Sequence, residues 1–156
     1  MHDGSLLKQV ALEQPVEIIG VVRLELWVRS SLEHTDFFGR LCDVHPDGRS
    51  INICDGFFRL ESGRGERQDD GSVHLVLELD PAAQRFGKGR HIRLLIASAA
   101  FPSAARNLGT GEPMLFGSRM QAAGQTVFHD RERPSALVLP IYSGNFSTEE
   151  RELLDP

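Results

Sequence analysis

Hydrophobic and polar residues alternate along several short segments of this chain. In VRLELWVRS, the apolar residues Leu24, Leu26 and Val28 occupy every second position, with charged residues and Trp27 between them. The same alternation recurs in SVHLVLELD, HIRLLIAS and ALVLPI. Because successive side chains of a β-strand point to opposite faces, this period predicts strands with one buried face. The mainly apolar segments DFFGRLCDV and SINICDGFFRL are predicted to be further strands.

Turn-forming residues separate these predicted strands. The segment HPDGR predicts a hairpin, because Pro46 fixes φ and Gly48 accepts the positive φ that follows. FGKGR predicts another tight connection, and the charged segment ESGRGERQDDG predicts an exposed loop. Only residues 147–154, STEERELL, look helical, with a capping-box pattern at their start. The chain is therefore predicted to be all-β, a single β-sandwich with a short C-terminal helix.

Composition and charge narrow the class of protein. The chain has 156 residues, of which 40% are hydrophobic and 25% charged, and a net charge of −5. This composition indicates one globular domain, and the acidic balance with scattered arginines argues against a nucleic-acid partner. No apolar run approaches the ~20 residues of a membrane span, and MHDGSLLKQVALEQ lacks the regions of a signal peptide. We therefore expect no membrane association, and the cytoplasm is the expected location.

The two cysteines, Cys42 and Cys54, flank the expected hairpin turn. They can form a disulfide only if they face one another across the hairpin, and a small shift of register separates them. In a reducing compartment, the favoured interpretation is that both are buried free thiols.

Nucleophilic catalysis finds little support in the sequence. The nucleophile elbow Gly-x-Ser-x-Gly of hydrolases occurs nowhere in the chain. Ser98 and Ser103 lie in SAAFPSAARNLGTG without an adjacent histidine, so only a distant residue such as His129 can supply a base. The Gly-Thr-Gly at residues 109–111 is followed by Glu-Pro rather than by a helix, which argues against a phosphate-binding loop. No catalytic residue is therefore predicted.

Histidines and aspartates two positions apart are the candidates for a metal site. His34 and Asp36 have this spacing, as do Asp43, His45 and Asp47, so each set lies on one face of a strand. The spacing matches no closed zinc motif and no Ca²⁺ loop. We favour the interpretation that Asp43 and Asp47 bond turn amides and that both histidines are solvated. No metal and no cofactor are therefore predicted, and a metal-dependent catalytic sandwich is kept as a minor hypothesis.

Trp27 and the stretch SAAFPSAARNLGTG are further candidates for function. Trp27 falls on the charged face of its predicted strand, where it either anchors a partner or covers the sheet beneath a loop. In the stretch, Ser98 is expected to continue the inward alternation and Phe101 to plug the edge of the sandwich. Arg106 and Asn107 are expected to pin the loop backbone by hydrogen bonds.

Short motifs follow one another along the chain in a recognisable order. LWV, TDF, RL, DV and PDG occur within residues 26–48, and FGKGRHIRL, FP, RN and TG follow within residues 86–111. QTV, HD, PS and LVLP then occur within residues 125–140. In this order, the motifs resemble the C-terminal domain of the X-Pro dipeptidyl-peptidase and cocaine esterase family of serine hydrolases. One departure is Ala104-Ala105, where the family often has an acidic residue before Arg-Asn.

The resemblance implies a jelly-roll β-sandwich of the galactose-binding-like type, the non-catalytic module of these enzymes. The family's catalytic residues lie in a separate α/β-hydrolase domain, so none is assigned to this chain. Residues 1–14 are then a lead-in segment, 15–141 the sandwich and 142–156 a C-terminal extension. The motif residues expected to serve structure or an interface are Trp27, Asp36, Asp43, Asp47, Arg106 and Asn107.

Two hypotheses for function follow from these expectations. In the first, the chain is the module that packs on an α/β-hydrolase catalytic domain, carried by the same or a separate chain. There it shapes substrate access or supports a homo-oligomer. In the alternative, the chain is a stand-alone jelly roll that binds a carbohydrate or another small ligand, which rests on the fold and Trp27 alone.

Overall fold

Two antiparallel β-sheets pack face to face in this protein. The computed structural model describes residues 6–144, with side chains from residue 9 onward. Within this part of the chain there is no helix, and the predicted helix at residues 147–154 lies outside it. The prediction of an all-β sandwich is confirmed. The strands are β1 Leu6–Ala11, β2 Val16–Ser30, β3 Thr35–Val44, β4 Ser50–Leu60, β5 Glu66–Arg67, β6 Val73–Phe86, β7 His91–Ala97, β8 Gln125–Val127 and β9 Ala136–Val138.

The order of the strands places β2 and β3 in the interior of their sheets. One sheet has four strands in the order β1-β7-β3-β4. The other has the order β5-β6-β2-β8, and β9 also pairs with β2. β8 pairs with residues 28–30 of β2 and β9 pairs with residues 23–25, so both lie along the same side of that strand. Part of the expected lead-in segment forms β1, which pairs with β7, while the domain boundaries stay a prediction.

The alternating apolar residues form the core between the two sheets. Leu24, Leu26 and Val28 of β2 are at most 1% exposed, which confirms the predicted buried face. Each such side chain stabilises the fold by about 1.5–3 kcal/mol through burial. The other fully buried side chains of the core are Ile18, Val22, Phe37, Leu41, Leu60, Val73, Leu75, Leu77 and Phe86.

A pair of glycines lies where the two sheets pack tightly against each other. Gly39 of β3 lies directly opposite Gly56 of β4. A Cβ added at Gly56 would lie 2.5 Å from the carbonyl oxygen of Glu78, and one at Gly39 would lie 2.4 Å from Leu24 Cδ1. At Gly56 the nearest atoms are backbone atoms of β6, so the packing of β4 on β6 requires a residue without a side chain there, whereas at Gly39 the Leu24 side chain would have to move.

The hairpin between β3 and β4 forms as the turn residues predict. Gly48 has a φ of +89°, and its N–H donates to the carbonyl of His45 at 2.9 Å. The Asp47 carboxylate accepts the Arg49 N–H at 3.0 Å. The prediction that Asp47 bonds a turn amide is therefore confirmed.

The two cysteines are separated by a register shift in the same hairpin. Cys54 lies opposite Leu41, whereas Cys42 lies opposite Asn52, so the cysteines do not face one another. Both are buried free thiols, as expected. Burial raises the pKa of the Cys54 thiol to about 11.

Candidate functional site

The motif residues lie at two opposite ends of the sandwich. At the loop end, β2 ends, β3 begins and residues 98–124 connect β7 to β8. At the hairpin end, β3 ends and β4 begins. Trp27, Asp36, Arg106 and Asn107 belong to the loop end, and Asp43 and Asp47 belong to the hairpin end. Four of the six candidates therefore lie at one end of the sandwich, and of these Asp36 and Asn107 are in direct contact.

Asp36 is the centre of the polar network at the loop end. Its carboxylate is 2% exposed and accepts two hydrogen bonds of 2.9 Å from Arg59, from Nε to Oδ1 and from Nη2 to Oδ2. The two residues lie directly opposite one another on β3 and β4. A buried carboxylate without a cation is costly, so this bidentate pair stabilises the fold. The hydrogen bond to Asp36 raises the pKa of Arg59.

The same ion pair holds the loop of residues 98–124 against the sandwich. Asn107 donates from Nδ2 to Oδ1 of Asp36 at 2.8 Å, and its own Oδ1 accepts the Gly109 N–H at 2.9 Å. Arg59 donates from Nη2 to the carbonyl of Ala105 at 2.9 Å. The expectation that Asn107 pins the loop by hydrogen bonds is confirmed.

Arg106 does not share the role of its neighbour Asn107. Its side chain is exposed, and its Nη1 lies 3.5 Å from Met120 Sδ, a weak acceptor. The expectation that Arg106 pins the loop backbone is wrong, because Arg59 makes that hydrogen bond to Ala105 instead.

Large apolar side chains of the loop are exposed to solvent. Phe101 is 83% exposed and Phe116 is 86% exposed. The expected inward Ser98 and the expected plug at Phe101 are both wrong, because β7 ends at Ala97 and the chain then turns outward. We call the exposed apolar residues of this loop, together with the arginine among them, the loop surface: Phe101, Arg106, Met114, Leu115, Phe116 and Met120.

The Gly-Thr-Gly motif lets the loop lie close to the rest of the chain. Gly109 has a φ of +75°, and a Cβ there would lie 2.6 Å from the Gln121 carbonyl oxygen. Gly111 has a φ of +72°, and a Cβ there would lie 2.7 Å from His34 Nε2. These positions favour glycine both for the backbone conformation and for space, which explains the motif without a phosphate.

The buried aspartate of the hairpin end has a different partner from the one expected. Asp43 is 1% exposed and accepts hydrogen bonds on Oδ2 from Arg90 at 2.6 Å and from Gln84 at 3.0 Å. Its Oδ1 has no hydrogen-bond partner among the described residues. The interpretation that Asp43 bonds turn amides is therefore wrong, because the carboxylate points into the sandwich and pairs with a cation.

Trp27 is half-buried on the outer face of β2. Its ring lies 4.7 Å from the ring of His74, which is its direct neighbour on β6. Its backbone N–H donates to Ser135 Oγ at 2.9 Å, and its carbonyl accepts the Phe128 N–H. These hydrogen bonds place the segment that joins β8 to β9 beside β2 at Trp27, while the choice between its two proposed roles stays open.

An apolar groove opens between the sheets, along the side where β1 and β9 are edge strands. Its volume is about 360 Å³, and its walls are mainly aliphatic, including Leu26, Ile96 and Leu137. His129 and Ser135 are its polar groups. The groove could not be predicted from the sequence, because it is formed by residues from four separated segments.

The arginines that pair with the buried aspartates were also not predicted from the sequence. Arg59 and Arg90 each neutralise an aspartate on β3, and Arg40 of the same strand pairs with Asp55 at 2.6 Å. A signal for such partners is present, because an aspartate within a mainly apolar strand must find a cation. Which cation pairs with the aspartate depends on the register of the strands, and the turn alone does not specify that register.

Within residues 6–144, no group of three or more histidines, cysteines, aspartates or glutamates is close enough together to hold a metal ion. The described chain also has no helix that is long and apolar enough to cross a membrane.

The class of the domain follows from its sequence and fold together. The chain matches the family of X-Pro dipeptidyl-peptidase C-terminal non-catalytic domains over residues 2–138, and it belongs to that family. This confirms the resemblance drawn from the ordered motifs.

Particular relatives are considerably longer than this chain. It is 34% identical over 137 residues to the cocaine esterase of Rhodococcus sp. (strain MB1 Bresler), which covers 83% of this chain and 24% of the esterase. An α-amino acid ester hydrolase has a similar fold with a TM-score of 0.77 at 23% identity, covering 88% of this chain and 25% of that one. An aminopeptidase from a marine sediment archaeon, Thaumarchaeota archaeon, has a TM-score of 0.77 at 22% identity, covering 92% and 26%. The chain thus spans about a quarter of the length of these relatives.

Proposed function

We propose that this chain is the non-catalytic module of an X-Pro dipeptidyl-peptidase or esterase type of serine hydrolase. It packs on the α/β-hydrolase catalytic domain through the loop surface and forms part of the wall of the substrate entrance. Membership of the family and the greater length of the relatives support a hydrolase as its partner. The catalytic domain is carried by the same chain or by a separate one.

The single observation that carries this proposal is the exposure of the loop surface. Three of its side chains, Phe101, Leu115 and Phe116, are each more than 80% exposed. Adjoining exposed apolar residues on a globular domain mark interaction sites, and Met114, Leu115 and Phe116 are consecutive. Phenylalanine, methionine and arginine are also enriched at interface cores. A partner that covers these side chains removes apolar area from water, which favours association.

The loop is also held in a defined conformation before any partner binds. Its start is bonded to Asp36 and Arg59, and its end is bonded to Ser31 by two hydrogen bonds with Gly124, of 2.8 and 2.9 Å. Within it, Glu112 pairs with Arg119, which lowers the pKa of the Glu112 carboxyl. A surface organised in this way loses little conformational entropy on association.

A chimera tests the proposal. This chain replaces the segment of the Rhodococcus cocaine esterase that it matches, and unfolding is followed by calorimetry together with esterase activity. We expect one cooperative transition and retained activity. Serine at both Leu115 and Phe116 should uncouple the two domains, whereas the control Ile51→Ser, at an exposed apolar position of the hairpin end, should not. Two independent transitions with the wild-type loop, or equal behaviour of both variants, would contradict the proposal.

The finer points of the proposal have their own readouts. If the module forms part of the wall of the entrance, substitutions in the loop surface change KM for bulky esters more than for small ones. Sedimentation of the chimera tests whether the protein forms a homo-oligomer. Fractionation of cells that produce the native protein tests the cytoplasmic location. The galactose-binding-like assignment of the sandwich belongs to the same proposal.

A second candidate function rests on the groove between β1 and β9. Its aliphatic walls with two polar groups suit a small apolar ligand with one hydrogen-bonding group better than a sugar, whose hydroxyls need many polar partners. Titration of the labelled protein with octanoate, followed by NMR, should shift the signals of Ala136 and Leu137 saturably, while galactose should not. No saturable shift with octanoate would remove this candidate.

A further inference from the structure

The loop surface contains a cation whose charge is not neutralised by the rest of the described chain. Arg106 makes no ion pair within residues 9–144, and Met120 Sδ at 3.5 Å is its hydrogen-bond acceptor. The other arginine of the loop, Arg119, differs in this respect, because it pairs with Glu112. The loop surface therefore combines exposed apolar side chains with one available guanidinium.

The position of Arg106 is fixed by its neighbours in the sequence. Ala105 is bonded through its carbonyl to Arg59, and Asn107 is bonded to the buried Asp36. The backbone on both sides of Arg106 is thus tied to the sandwich, and the side chain projects from a rigid base. Arg106 and Arg59 also reach methionines of the loop surface, Met120 and Met114, so the charge lies among the exposed apolar groups.

We infer that the catalytic domain presents a carboxylate to Arg106 within an otherwise apolar surface. The inference rests on the proposed function and specifies the chemistry of the partner in it. An arginine that is covered by an apolar partner loses its hydration, and this loss is offset only if an anion takes the place of water. Arginine suits the role, because its planar guanidinium binds a carboxylate with two parallel hydrogen bonds.

Another source of the carboxylate is the acidic C-terminal segment of this chain, STEERELLDP. The described chain ends at Gly144, two residues after Tyr142, whose N–H donates to the carbonyl of Glu17 near the start of β2. The loop surface lies beyond the opposite end of β2, a strand of 15 residues that is about 45 Å long. The catalytic domain is therefore the favoured source, and a cross-link to the C-terminal segment is a contradicting outcome of the test.

The first test compares charge variants in the esterase chimera and in the isolated chain. Arg106→Glu should lower the midpoint of thermal unfolding of the chimera by several degrees and leave that of the isolated chain unchanged. Arg49→Glu is the matched control, because Arg49 is also an exposed arginine but lies at the hairpin end, away from the loop surface, and already pairs with Asp47. It should have the same effect in both contexts.

The second test identifies the carboxylate. The chain has two lysines, Lys8 and Lys88, so an amine introduced by Arg106→Lys gives an assignable product with a carbodiimide, which joins amines to carboxylates at zero length. Mass spectrometry should find a cross-link from position 106 to an aspartate or glutamate of the catalytic domain. Replacing that acid by arginine should restore the stability of the Arg106→Glu chimera.

The outcomes separate this inference from the proposed function. If the chimera unfolds in one transition but Arg106→Glu behaves like Arg49→Glu, the carboxylate partner is contradicted and domain packing stands. A cross-link to an acid of this chain likewise contradicts the inference. If the wild-type chimera unfolds in two independent transitions, the proposed function fails together with it.

Discussion

Asn107 Nδ2 lies 2.8 Å from Asp36 Oδ1, and this contact joins the long loop at the loop end to a carboxylate of the sandwich core. The acceptor is 2% exposed and already bound by Arg59, so the asparagine completes a buried network rather than a surface contact. Arg106, one residue away, points outward to Met120. Adjacent residues of one motif thus serve the fold and the surface separately.

This division of roles predicts that two neighbouring substitutions differ strongly in their effect on stability. Asn107→Ala should lower the free energy of unfolding by about 1–3 kcal/mol, because it removes a hydrogen bond to a buried charge. Arg106→Ala should change it by less than about 0.5 kcal/mol, as for an exposed side chain without an ion pair. Urea unfolding of the isolated chain measures both. Equal losses would show that Arg106 also supports the fold.

The ion pair beneath the loop should be important for stability. Arg59→Leu leaves the Asp36 carboxylate buried without its cation and should cost about 3–5 kcal/mol. Arg49→Leu is a suitable control, because Arg49 pairs with Asp47 on the exposed hairpin turn, where solvent screens the pair and its loss should have little effect on stability. Comparable losses for both variants in chemical denaturation would argue against the buried network.

The Gly-Thr-Gly motif gives a prediction about space as well as about φ. Gly48→Ala introduces a side chain at positive φ with nothing within 4 Å, and should cost about 1–2 kcal/mol. Gly109→Ala adds a clash with the Gln121 carbonyl and should cost about 1–3 kcal/mol more. Thermal unfolding of the two variants side by side measures the difference. No difference would mean that the loop can move away from residue 121 freely.

The buried thiol of Cys54 should make the stability of the fold decrease at alkaline pH. Burial raises the pKa of its thiol from 9.0 to about 11 in the folded chain, so the folded state holds this proton more tightly than the unfolded state. The resulting stabilisation is complete below pH 9 and is lost as the pH rises towards 11. Urea unfolding between these pH values should show a steeper loss for the wild type than for Cys54→Val. The same slope for both proteins would contradict the assignment.

Much of the fold was predictable because the sequence carries local signals for it. Alternation in β2 specified its buried face, and HPDGR specified the hairpin turn. The position of Phe101 was not predictable in the same way. An aromatic residue after a strand is expected to cover an apolar edge, but β7 ends at Ala97 and the chain leaves the sandwich before it reaches Phe101.

The candidate site was only partly predictable for a related reason. The ordered motifs identified Asp36 and Asn107 as candidates. They did not predict the contact between these two residues, which are 71 residues apart in the chain. The register that places Arg59 opposite Asp36 is interrupted by a bulge after Leu41, so it does not follow from the turn sequence. Exposure of the loop surface depends on the contacts that anchor the loop. These contacts join residues far apart in the sequence, so they are known only from the folded structure.

The proposed packing of a hydrolase catalytic domain on the loop surface can be tested by the exposure of its side chains. Hydroxyl-radical footprinting of the isolated chain and of the esterase chimera measures this directly, because methionine and phenylalanine side chains react readily when exposed. Oxidation of Met114, Phe116 and Met120 should fall strongly in the chimera, while that of Ile51 at the hairpin end should be unchanged. Equal oxidation of the loop surface in both proteins would contradict the account.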